Sequence, residues 1–223
     1  MLPIAEVIRT KRKSIALIVQ RDGRLVVRAP LAASDDDIYT LVNKKSDWIL
    51  SKQKLIRETY PTYKPKEYVN GEGFWHLGKI YRLEIVDGAQ EPLWLDDCFY
   101  LARTVLPQAA KVFEQWYRSQ ARQVLTERVS WYSEKHGYPQ PVIRITNARK
   151  RWGSCSDNGV LSFAWRLVMA PMPVIDYLVV HELVHLVEKN HSKEFWSKMK
   201  LAMPDYQKRI DWLEVNGNLL TLD

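Results

Sequence analysis

Histidine is scarce in this 223-residue chain, five in all, yet three of them fall within the stretch 181–191. They appear as His181-Glu182-Leu183-Val184-His185, followed six residues later by His191. Two imidazoles four positions apart on an α-helix lie one above the other on one face, so they can hold a single metal ion between them. Glu182, about 100° round the helix from His181, can reach a water bound to that metal. A third ligand from outside the helix completes a site of three protein ligands and one open position, the arrangement of a catalytic zinc. His191 is placed to supply it. The string arises by chance in roughly one chain of this length in a few hundred, which weighs against the alternative of satisfied core histidines on a buried helix. The stretch predicts a metal-dependent hydrolase with Zn²⁺ as cofactor, His181, His185 and His191 as ligands and Glu182 as catalytic base.

The surroundings agree. Pro171 and Pro173 punctuate the helix start, and Val174, Ile175, Leu178, Val179, Leu183 and Leu186 recur at helical spacing. The polar Glu188-Lys189-Asn190 ends it. Ser192 can cap a following helix through Glu194, Phe195, Trp196 and Met199, which puts His191 at the turn between the two.

Upstream, two apolar runs, 14–19 and 24–28, flank Asp22-Gly23 and read as a β-hairpin. Ser34 and three aspartates open a helix to about Glu58, ended by Pro61 and Pro65. Residues 74–77, 80–86, 93–95 and 99–101 read as strands separated by Gly and Asp turns. A long helix from about Gln108 to Lys135 follows, broken by His136-Gly137-Tyr138-Pro139. Then come a strand near 142–147, a hairpin around Asp157-Asn158-Gly159, the metal helix, and a last helix after Met203-Pro204-Asp205. This is an α+β chain. We divide it into a β-rich part with one helix, 1–103, and a metal domain, 104–223.

With 46% apolar residues and nine tryptophans the chain can fill a core, so disorder is excluded. The net charge of +7 is compatible with a nucleotide or nucleic-acid partner, and is also ordinary for a soluble enzyme. No basic region leads into an apolar segment at the N-terminus, and Ile15–Val19 is far short of a membrane span. The expectation is therefore no signal peptide and no membrane. Two cysteines, Cys98 and Cys155, do not make a disulfide framework and are expected reduced, in the cytoplasm.

The strings Arg151-Trp152-Gly153-Ser154-Cys155-Ser156, Trp165-Arg166-Leu167 and Asn190-His191-Ser192-Lys193-Glu194-Phe195-Trp196, with Met203-Pro204-Asp205-Tyr206, resemble the YgjP-like (DUF45) zinc-dependent metallopeptidases, relatives of the WLM and SprT-like proteases. The resemblance extends over essentially the whole chain. It implies a zincin-like domain, a small sheet packed on the HExxH helix, with His181, His185 and His191 on zinc, Glu182 as general base, and a peptide or protein substrate. It further implies a cleft whose upper edge is the strand pair flanking Asp157-Asn158-Gly159, to which an extended substrate adds. The family often carries Asn just before Trp-Arg-Leu; here that place is Ala164. Many zinc peptidases take a glutamate from the next helix as third ligand, so Glu194 stands as the alternative to His191.

Other candidates are substrate-binding. Arg149-Lys150-Arg151-Trp152, with Arg144 nearby, could grip a phosphate or nucleic-acid backbone, or simply be a strand with solvated charges and a buried Trp. Tyr206, Arg151 and Arg166 are candidates for a second oxyanion donor. Lys11-Arg12-Lys13 and Lys44-Lys45 read as solvated surface, His76 and His136 receive no function, and Cys155 reads as a small buried strand residue and not a soft ligand. Two competing functions keep the metal: a nucleoside-triphosphate (UTP) pyrophosphatase, as some proteins resembling this family are described, and a nucleic-acid-associated protease of SprT-like type. Imidazole ligands argue against the former, since phosphoanhydride hydrolysis usually uses Mg²⁺ held by carboxylates. No helix-turn-helix or zinc-finger pattern supports the latter.

Overall fold

Three short strands open the chain. The structure, a computed structural model, describes residues 2–12, 14–20, 23–59 and 65–222. β2 (Ala16–Val19) and β3 (Leu25–Pro30) form the expected antiparallel hairpin, with Gly23 at φ +80°; Asp22, the other turn residue, lies outside the described residues. β1 (Ile4–Thr10) was not legible as a strand. Five of its seven residues are exposed, so it shows no period of two, and only its parallel pairing with β3 defines it.

α1 (Asp35–Lys44) starts at a reciprocal cap: the Ser34 hydroxyl accepts the Asp37 N–H, and the Asp37 carboxylate accepts the Ser34 N–H. The single helix expected over 34–58 is two. The chain leaves helical geometry at Lys45 (φ −107°, ψ 15°) and re-enters in α2 (Ser46–Thr59). A straight helix would carry Ile49 roughly 16 Å past Ile38. The break lets Ile38, Val42 and Ile49 share one small core with Leu25, Val27 and Ala29. Pro61, expected to end this helix, lies outside the described residues.

β4 (Gly73–His76), β5 (Lys79–Val86), β6 (Leu93–Leu95) and β7 (Phe99–Ala102) form a sheet in the order β4-β5-β7-β6, with β5 and β7 parallel. α3 (Ala109–His136) follows and ends at Gly137, whose left-handed φ of 71° suits glycine. Its buried stripe Phe113, Tyr117, Ala121, Leu125 and Val129 recurs every fourth residue. Phe113 stacks on Phe74 of β4 at 4.3 Å, and Tyr117 stacks on Trp165 while donating its hydroxyl hydrogen to the Trp75 carbonyl at 2.6 Å.

A further three-stranded sheet comprises β8 (Ile143–Thr146), β9 (Gly153–Cys155) and β10 (Leu161–Ala164), in the order β8-β10-β9, so β9 is an edge. Three helices complete the chain: α4 (Met172–Val184), α5 (Lys193–Ala202) and α6 (Tyr206–Asn216). α4 is buried nearly all round, as a helix with little amphipathic character must be. Two devices fix it. The Arg128 guanidinium on α3 binds Asp176 of α4 bidentately, at 2.6 and 3.0 Å. The β4–β5 turn docks on the segment leading into α4: the Leu77 and Gly78 N–H groups donate to the Val168 and Met169 carbonyls. At Gly78 (φ +80°) a Cβ would come within 2.7 Å of Pro171.

The chain divides into two compact units, Met1–Lys64 and Pro65–Asp223. The division thus lies well before the 103/104 boundary read from the sequence. The reason is burial: Phe74, Leu83, Phe99 and Leu101 of the four-stranded sheet share one core with Phe113, Tyr117 and Leu125 of α3. The sheet has no separate core to make it a domain. Among the described residues, no helix is long and apolar enough to cross a membrane.

Candidate metal centre

α4 ends one residue short of the second histidine of the motif. His181 sits in its last turn and His185 is its C-cap, still right-handed at φ −64°, ψ −15°, so the two imidazoles keep the four-residue spacing. Beyond it the chain tightens: the Leu186 and Val187 N–H groups bond three residues back, to Leu183 and Val184. The chain then returns through Asn190 to Ser192, whose hydroxyl caps α5 by accepting the Phe195 N–H. His191 is delivered at that turn, as expected. One ligand atom from each of His181, His185 and His191 lies within 4.8 Å of the others, and the Nε2 atoms of His181 and His191 are 3.1 Å apart. Three nitrogens on a tetrahedral ion stand about 3.3 Å apart, so small ring movements close the set.

At His181 and His185 the ring environment favours neutral imidazoles. His185 Nδ1 lies 2.9 Å from the Glu188 carbonyl, an N–H donor contact that leaves Nε2 for a metal. Burial, reinforced by the neighbouring histidines, lowers the His181 pKa to about 3. His185 is also lowered, first by burial. Beneath all three rings lies Phe195, fully buried, with centroids 4.9, 4.6 and 4.7 Å from His181, His185 and His191. Trp196 stacks on His191, and Tyr206 stacks on Trp196. Glu194, the alternative third ligand, is exposed in the first turn of α5 and is not among the clustered groups.

Glu182 is 4% exposed, and its Oε2 is buried without a hydrogen-bond partner. Burial pushes its carboxyl up to about 7, and the Arg151 charge works against that rise. Its Oε1 lies against β9: a Cβ built on Gly153 would meet it at 2.4 Å, and meet Cδ and Cγ at 2.9 Å. Gly153 is thus required by close approach of the carboxylate. Gly153→Ala should displace the carboxyl and lower kcat about 100-fold, with metal content and melting temperature close to wild type. Unchanged kcat would mean that the carboxyl position is not critical.

A cleft of about 330 Å³ holds these groups together with Arg151, Ser154, Cys155, Asp157 and Lys189. Of the proposed substrate residues, Arg151 alone lines it. Trp152 faces an adjoining 90 Å³ pocket and packs against Gly217, where a Cβ would stand 3.1 Å from its ring. Arg149 lies exposed on the preceding loop, and Tyr206 lies behind Trp196; neither lines the cleft. Arg166 is buried, with Nη1 donating to Asn147 Oδ1 and its guanidinium over Trp165, so it serves the core. Cys155, read as a small buried residue, instead lines the cleft, and both cysteines are free. Lys189 is the residue that spacing gave no means of finding. Its Nζ donates to the Ser156 carbonyl at 3.3 Å, across the cleft mouth.

β9 pairs with β10 along one side only. The Ala164 N–H donates to Trp152 and the Ser156 N–H to Val160. By antiparallel alternation, Gly153 and Cys155 therefore turn their N–H and C=O groups to the open edge, beside the histidines.

The family model for "YgjP-like, metallopeptidase domain" matches residues 13–216. Among solved structures, the chain is similar to the metallopeptidase zymogen jannalysin of Methanocaldococcus jannaschii, at 17% identity and a TM-score of 0.35, over 44% of this chain and 96% of that one. No curated protein matches.

Proposed function

The chain belongs to the YgjP-like metallopeptidase family and is a metal-dependent peptidase, and from that premise we propose that the ion is zinc, held by His181, His185 and His191, with Glu182 as general base. The observation that carries this reading is the convergence of three imidazoles on one point beside a buried carboxyl whose Oε2 has no hydrogen-bond partner. An all-imidazole set suits zinc over magnesium or calcium, which prefer oxygen ligands. A bound zinc ion supplies Lewis-acid polarisation of the scissile carbonyl and lowers the pKa of water.

The chain's own residues do the rest. The open edge of β9 holds an extended peptide by backbone hydrogen bonds from Gly153 and Cys155. The Glu182 carboxylate takes a proton from the attacking water and returns it to the departing amine. In the metal-free chain burial raises its pKa to about 7, and the charge of a bound ion would work against that rise, favouring the carboxylate that accepts the proton. The cleft around the reacting bond is walled by β9, the end of α4 and the α4–α5 connection.

The test is a paired assay on zinc-loaded full-length protein, offering an unfolded polypeptide in one arm and UTP in the other. Cleavage of the polypeptide alone is expected. Release of phosphate or pyrophosphate from UTP without peptide cleavage would overturn the substrate assignment and turn attention to Arg149, Lys150 and Arg151.

A further inference from the structure

We infer that Arg151 and Lys189 select substrates carrying a carboxylate near the bond to be cut, whether from an acidic side chain or from a free C-terminus. The inference rests on the peptidase reading above and names the substrate which that site takes.

Among the residues lining the cleft, two carry a fixed positive charge, Arg151 and Lys189. Glu182 is turned against Gly153 and the three histidines face one another, so these groups are engaged in the centre itself. Asp157 is the one other carboxylate on the lining.

The two cations stand at opposite ends of β9. Arg151 lies two residues before the strand. Lys189 comes from the α4–α5 connection, and its ammonium is held at the other end by the Ser156 carbonyl, 3.3 Å away, with Cys155 Sγ at 4.0 Å. The three residues of β9 lie between positions 151 and 156, so the two cations flank an extended peptide laid along that edge. Lysine has three N–H donors, of which Ser156 uses one, and arginine offers five in a planar fork. Both can make charge-assisted hydrogen bonds to a carboxylate, the stronger class of such bonds. An amide or a lysine at the same place would forgo these bonds or meet like charge.

The experiment uses full-length zinc-loaded protein and peptides of one core sequence. One carries Glu on either side of the scissile bond and an amidated C-terminus, one has Gln in those places with the amide, one has Gln with a free C-terminus close to the bond, and one has Lys. Wild type should show kcat/KM about tenfold or more higher for at least one carboxylate peptide than for its neutral counterpart. The preference should shrink as salt rises from 0.05 to 0.5 M. Which carboxylate peptide gains identifies the source. The double variant R151E/K189E should reverse the order, taking the Lys peptide over the Glu peptide. Equal cleavage of all four by wild type, or an order unaltered by charge reversal, would overturn the inference while leaving the peptidase reading intact. Cleavage of none would overturn that reading, and this inference with it.

Discussion

Glu182→Gln should remove turnover by a factor of about 10³ or more, toward the upper end of what a general base contributes, while zinc content stays at the wild-type level. Gln is nearly isosteric with Glu, so the approach to Gly153 is kept and only the proton acceptor is lost. A second readout separates this from damage to the fold. Burial raises the Glu182 pKa from 4.5 to about 7 in the metal-free chain. Between those pH values the folded state holds a proton that the unfolded chain has released, so stability falls as pH rises. The loss reaches up to about 3 kcal/mol. Gln carries no such penalty, and the His181 contribution is common to both proteins. Thermal melts of metal-free protein should therefore favour the variant increasingly as pH rises from 5 to 8. A variant that retained turnover would remove Glu182 from the mechanism.

His191→Ala should lower zinc affinity by more than the ~100-fold that loss of an outer partner costs, because it removes a ligand and leaves only His181 and His185. Activity should fall with it. The fold should stay, since His191 is exposed and Ser192 still caps α5. Metal analysis after dialysis against a weak chelator, with a melt of the metal-free protein, reads both. Normal occupancy would move the third ligand elsewhere, and Glu194→Ala would be measured next.

Much of the architecture was legible because its periods and punctuation are strong. The strands of 73–102, the long α3 with its glycine stop, and the Ser192 cap all stand close to where spacing put them. β1 was missed because an exposed edge strand shows no alternation. The break at Lys45 was missed because Ile38, Val42 and Ile49 fit one helical stripe equally well whether the helix is straight or divided. The boundary at 103/104 followed a change from strand to helix patterns, but the core follows the apolar surfaces that need each other, which joined Phe74 and Phe99 to Phe113.

At the site, the sequence by itself determined that His181 and His185 share one face with Glu182 about 100° round from His181, because a helix converts spacing into angle by a fixed geometry. It also placed His191 at a turn. Only the tertiary structure decided what surrounds them. Phe195 as the platform under three imidazoles, Gly153 as the space for the Glu182 side chain, and Lys189 across the cleft mouth are long-range juxtapositions. So is the exclusion of Trp152, Arg166 and Tyr206 from the cleft lining. Local spacing fixes where side chains point along one element, whereas burial depends on which surface another part of the chain brings against it.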